Sequence, residues 1–243
     1  MASAKKETKD SSAEVKALQT EVKTLKSELE KTRKALAEAL EQIGKLKKKE
    51  SGKPAAQPKE EAMKDGHEYV DLGLPSGLKW ATCNIGARVP EASGDYFAWG
   101  EIKTKRTFSE SGSLTYGKKK YSIEISGDSQ LDAARANWGG SWRMPTKYEC
   151  QELIDKCKWE WVTINGVNGY KVTGTNGNII FLPAAGFRHG SSLYDAGGDG
   201  DYWSSTPNES GAYNAYSIYF NGSEYGVNDF NRGNGRCIRP VSE

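Results

Sequence analysis

The side chains able to do chemistry are few and dispersed. Two histidines, His67 and His189, occur in 243 residues, and the four cysteines (Cys83, Cys150, Cys157, Cys237) form no C-x-x-C pair. Structural zinc needs closely spaced Cys and His, and general acid–base work draws mostly on His, with carboxylates as substitutes. No G-x-S-x-G elbow, H-E-x-x-H helix or phosphate-binding loop is present. The expectation is a chain that is not an enzyme and has no catalytic residue, metal or cofactor. Its cysteines are expected as buried free thiols, with one bridge open to oxidant.

The sequence concentrates contact chemistry instead. From His189 to Arg236 about two thirds of the residues are Gly, Ser, Asn, Asp or Tyr, six of them Tyr, and no Lys follows Lys171. Tyr supplies rigid amphipathic contact area while Ser, Asn and Gly adapt their hydrogen bonds, the composition of paratopes. Turn-rich loops also favour Gly, Asn, Asp and Ser, but explain six tyrosines less well. In Ala215 to Asn221, alternation puts Tyr216, Ile218 and Phe220 on one face, suited to a core. Ser217, Tyr219 and Asn221 take the other, where with Tyr213, Asn214, Ser223 and Tyr225 they would be free to face a ligand.

The elements that must position such a surface are legible in part. All seven Trp lie between Trp80 and Trp203, and the first 66 residues hold no Trp, Tyr or Phe. A segment without aromatics builds no core of its own, so the chain divides into a charged leader and one domain, 67–243. Tyr69 to Leu72 and Leu78 to Cys83 flank a Pro75-Ser76-Gly77 turn, as in a hairpin. Tyr96, Phe97 and Trp99 suggest a buried aromatic corner. Asp128 to Asn137 has helical spacing with a cap at Asp128 or Ser129. Thr146 to Glu149 is a capping box, opening a helix with Leu153, Ile154 and Cys157 on one face. Strands are expected at Trp159 to Ile164, Tyr170 to Thr173 and Asn178 to Leu182. Between them lie Asn165-Gly166, Asn168-Gly169 and Asn176-Gly177 as turns, the last a two-residue hairpin. The predicted fold class is α+β, with two helices and many short antiparallel strands.

The leader carries heptads. Val15, Val22, Leu29, Leu36 and Ile43 take one seam position, and Leu18, Leu25, Thr32, Ala39 and Leu46 the other. Glu21 precedes Lys26 by five positions and Glu28 precedes Arg33 by five, the offset that joins chains in a parallel coil. A lone helix would leave each large seam residue wet, at about 1.5–3 kcal/mol. A parallel homo-oligomer over 13–47 is expected, with trimer favoured over dimer. Residues 1–12 read as a disordered polar terminus without the apolar run of a secretory signal. Residues 48–66, with Ser51-Gly52, Pro54 and Pro58, read as a flexible linker; Gly44 weakens the last heptad. Net charge is +2 and no basic face repeats, so no nucleic-acid partner is expected. No apolar run of membrane-spanning length occurs, so no membrane insertion is expected either.

Five motifs in order carry a resemblance: Leu72 to Asn84 (LGLPSGLKWATCN), Trp138 to Thr146 (WGGSWRMPT), Phe181 to Gly186 (FLPAAG), Tyr202 to Ser205 (YWSS) and Arg236 to Val241 (RCIRPV). Across 67–243 the chain resembles a bacterial and phage paralogous family with the C-type-lectin-like fold, related to non-catalytic relatives of formylglycine-generating enzyme. Segment 189–236 resembles the variable region of targets of diversity-generating retroelements, in which adenine-directed mutation of template Asn codons diversifies exposed positions. The resemblance implies an unvarying frame at Tyr202 to Ser205 and Arg239 to Val241. It implies ligand-contacting positions at Asp199, Asp201, Asn208, Ser210, Tyr213, Asn214, Ser217, Tyr219, Asn221, Ser223, Tyr225, Asn228, Asp229, Asn231 and Asn234. The implied function is a receptor-binding display protein on a phage tail (virion) or the cell exterior, recognising a cell-surface protein or glycan.

Three readings compete. Calcium-dependent lectins place Glu-Pro-Asn or Gln-Pro-Asp near Trp-Asn-Asp; neither triplet is present, although Asn228-Asp229 echoes the latter and Asp195, Asp199 and Asp201 are oxygen donors. A formylglycine-generating enzyme would need a reactive Cys pair, and Cys237 has no second Cys close in sequence. A fixed-specificity virion spike fits the coil and linker equally well.

Overall fold

The computed structural model describes residues 16, 18–38 and 62–243. The chain divides into two units, 1–60 and 61–243. In the first, residues 18–38 form a helix, α1. Lys, Glu, Leu and Ala propagate it, while Thr20, Thr24 and Thr32 return their hydroxyls to carbonyls four residues back. Leu18, Val22, Leu25, Leu29 and Leu36 are all exposed on it. Val15, Ala39, Ile43, Leu46 and Gly44, the terminus 1–12 and linker residues 48–61 lie outside the described residues.

The second unit is mixed α+β with mainly antiparallel pairing. It begins earlier than expected. Met63–Lys64 forms strand β1, paired with β2 (His67–Asp71) through Asp65-Gly66. Both turn residues have positive φ, 47° and 81°, the conformation that Asp-Gly adopts in a two-residue hairpin. The end of the predicted linker is therefore the domain's first hairpin. β3 (Lys79–Ala81) pairs with β2 and with β12 (Val241–Ser242), closing the two ends of the domain into one sheet.

Helix α2 (Ala133–Trp138) is shorter than its predicted span because its cap is Asp132, not Asp128. Asp132 is buried and accepts from the amides of Gly127, Ala134, Arg135 and Met144. Burial raises its carboxyl pKa, and those four donors oppose the rise. Helix α3 (Lys147–Lys156) opens on the Thr146–Glu149 capping box, and Glu149 also receives a bidentate Arg143 at 2.8 and 2.7 Å. Strands β4 (Lys158–Ile164), β5 (Val167–Thr173) and β6 (Ile179–Pro183) form a meander. Asn165-Gly166 makes its first turn, both with positive φ. Asn168-Gly169 makes none and lies inside β5. A Cβ on Gly169 would sit 2.3 Å from the Leu182 carbonyl, so this glycine serves close strand approach. Asn176-Gly177 belongs to a longer loop, with Thr173 opposite Ile179.

After the β7–β8 hairpin (Phe187–His189, Ser192–Tyr194) comes the sheet that organises the C-terminal segment, in the order β11-β10-β9. Its strands are β9 (Gly200–Pro207), β10 (Asn214–Phe220) and β11 (Tyr225–Asn231). β10 is central, with hydrophobic clusters on both faces. Ile218, Phe220 and Tyr202 join the cluster around Trp80 and Leu182; Ala215 and Trp203 join the one around Phe97 and Trp99.

Candidate functional site

Conserving this sheet's position falls to the motif residues, each tied to a different segment. The Tyr202 hydroxyl donates to the Pro183 carbonyl at 2.6 Å, and the Trp203 indole to Phe97 at 2.8 Å. Ser204 and Ser205 donate to the carbonyls of Tyr216 and Pro145. Arg239, fully buried, spends its guanidinium on Asn84 Oδ1 and on the carbonyls of Ala81 and Phe181. A buried cation survives when its donors are satisfied, and Arg239 thereby joins three segments.

The fifteen predicted contact residues occupy different depths on this frame. Ser210, Tyr213, Ser223, Tyr225 and Asn228 are exposed; Asp199, Asn208, Asn214, Tyr219, Asn221, Asp229, Asn231 and Asn234 are half-buried. Asp201 and Ser217 are buried, at 6% and 0%. The predicted alternation of β10 fails at Ser217 because its far face meets the second hydrophobic cluster, not water. Its hydroxyl is consumed by the Tyr202 and Ile218 carbonyls. Tyr216, predicted to be core, is half-exposed beneath the Lys147 ammonium, 4.5 Å from its ring centre.

The three outward tyrosines do not share one patch. Tyr213 lies edge-on to Tyr116, ring centres 5.2 Å apart. Nearby, the Asn214 amide donates to Asp229, and Asn231 to Glu110. Tyr225 stacks on Trp159 at 4.9 Å and 11°. Tyr219 turns instead toward Phe230, at 6.0 Å. Asn208 and Asn221 are turn-formers whose side-chain oxygens accept from Ser210 and from Ser223 and Glu224. Asn228 accepts the amide of Asp229.

Five candidates converge. Asp199, Asp201, Tyr219, Asn221 and Asn234 line a cleft of about 230 Å³, together with Phe187, Phe230 and Arg236. At its floor Arg236 pairs with Asp201 and stacks on Phe230, 3.9 Å from the ring centre, with Trp203 at 5.1 Å. Burial lowers the Arg236 pKa to about 9, and its Nε has no partner among the described residues. Sequence reasoning missed Phe187, Phe230, Arg236 and the outlying Tyr116 and Trp159. Only Phe230 had a local signal, sharing two-residue spacing with Asn228.

The thiols are unpaired. Cys237 is buried, and its environment pushes its pKa to about 12, burial being the main cause. Cys150 is raised well above the usual thiol range for the same reason, and Cys157 to about 11. Among the described residues no group of three His, Cys, Asp or Glu is placed to hold a metal ion. No helix among them is long and apolar enough to cross a membrane. No family model, curated protein or solved structure matches this chain.

Proposed function

We propose that this chain is a ligand-display protein. In this reading a C-type-lectin-like domain is carried on a parallel coiled coil, trimeric in preference to dimeric, and segment 189–236 recognises a cell-surface protein or glycan from a phage tail or the cell exterior. The observation that carries it is a division of labour within that segment. Tyr202 to Ser205 and Arg236 are buried and tied to the frame, whereas thirteen of the fifteen Asn, Asp, Ser and Tyr candidates between and around them reach the surface. A rigid frame with replaceable surface side chains is what diversification requires.

Two further features support the reading. The wet Leu seam of α1 favours self-association, and several heads on one stalk add avidity to a modest single contact. Cys237, with its raised pKa, suits packing better than nucleophilic or metal chemistry, which need a thiolate.

The test is deep sequencing of the native gene across a population grown from one clone, with its flanking DNA. Expected are substitutions at adenine positions within 189–236 and a near-copy of that segment nearby. A uniform gene without a second copy would instead support a fixed-specificity spike.

A further inference from the structure

The cleft has a chemistry of its own. Its charged floor is self-neutralised, since Asp201 pairs with Arg236. Its amides are largely spent: Asn221 Oδ1 accepts from Ser223 and Glu224, and Asn234 Oδ1 lies 3.0 Å from His189 Nδ1. The Asp199 carboxylate, half-buried at the rim, has no side-chain partner among the described residues. Burial, with Asp195 beside it, pushes its pKa above the usual carboxylate range, so a counter-charge there relieves an existing cost. The walls are the rings of Phe187, Tyr219 and Phe230.

The wider surface has the same sign. Segment 189–236 holds six acids (Asp195, Asp199, Asp201, Glu209, Glu224, Asp229) against two arginines, Arg232 and Arg236. Both arginines are buried, at 0% and 2%, as is Asp201, and Glu209 is paired with Lys147, so the acids it shows to solvent without a cationic partner among the described residues are Asp195, Asp199, Glu224 and Asp229. Ligand pockets for small molecules run from roughly 300 Å³ upward; this cleft is smaller and suits one side chain.

We propose that the cleft is an anchor pocket for a basic side chain of a protein partner, its ammonium or guanidinium meeting Asp199 and its stem lying against Tyr219, Phe187 and Phe230. Arg236 already lies over the rings of Phe187 and Phe230, so these walls offer apolar contact to the stem while Asp199 supplies the charge, and an acidic surface speeds encounter with a basic one. This inference rests on the binding reading above and names its partner chemistry.

The test is an NMR titration of the full chain, following the amides of Gly200, Tyr219 and Asn221. The probes are Nα-acetyl-lysine methylamide, its norleucine counterpart lacking the ammonium, and methyl mannoside. The lysine probe is expected to move these signals saturably, and the norleucine probe to bind about tenfold more weakly, the size of one ion-pair contact. Asp199→Asn should remove that preference without lowering the melting temperature, because the carboxylate holds no frame contact and its charge is disfavoured in the fold. Equal binding of norleucine, or binding of the mannoside alone, would overturn the basic-anchor assignment while leaving a binding surface in place. No response to any probe would overturn the cleft as an anchor, and the gene sequencing then still decides the binding reading by itself.

Discussion

Tyr219 and Tyr225 stand one residue out of register across the β10–β11 hairpin, so their rings serve opposite sides of the sheet. Tyr219 meets Phe230 over the cleft, and Tyr225 lies flat on Trp159 against the main core. Tyr225→Ala is expected to cost about 1–3 kcal/mol of stability, from lost stacking and burial. Tyr219→Ala should cost less and Tyr213→Ala least, Tyr213 being 58% exposed. Urea unfolding of the three variants checks the order; a Tyr219 cost equal to that of Tyr225 would mean the cleft is part of the core.

Asp201 and Arg236 form the floor of the cleft at 6% and 2% exposure. Removing one partner strands a buried charge, so Asp201→Ala should lose about 3–5 kcal/mol, while replacing both by apolar residues should recover most of the loss. A double-mutant cycle measures the coupling. The same pair predicts that natural variation spares Asp201, and spares Ser217 for its buried hydroxyl, even where neighbouring codons change.

His67 stacks on Trp138, ring centres 3.7 Å apart and 4° from parallel. Its pKa lies below 6.5, lowered by burial against an opposing pull from Asp65. The unfolded chain then binds the proton more readily than the folded one. Stability from this group is therefore complete above about pH 6.5 and falls as pH drops from there toward the folded pKa. Melting temperatures of wild type and His67→Phe across pH 7 to 5 check this: the wild type should lose the larger part over that interval, and parallel curves would sink the idea.

Leu25 and Leu29 are 56% and 54% exposed on α1. Each seam Leu contributes about 1.5–3 kcal/mol when covered. Leu25→Asp with Leu29→Asp in the full chain should therefore convert an oligomer to monomer in sedimentation equilibrium, with the domain's near-UV circular dichroism unchanged. A monomeric wild type would end the stalk proposal.

What the sequence determined by itself was local. The heptads predict the helix observed at 18–38; the capping box at Thr146 and the Asn165-Gly166 turn follow from contacts within four residues. Asp65-Gly66 carries the same kind of signal inside a stretch whose composition reads as linker, while the cap passes to Asp132 because four amides from three stretches of chain converge there. What only the tertiary structure decided was depth. A two-residue repeat states which side chains share a face, not whether that face meets water. A second hydrophobic cluster covers the far face of β10, which buries Ser217, and the return of the chain through Arg236 buries Asp201 and closes the floor of the cleft. Burial depends on which layers stack, and those layers are assembled from residues more than a hundred positions apart.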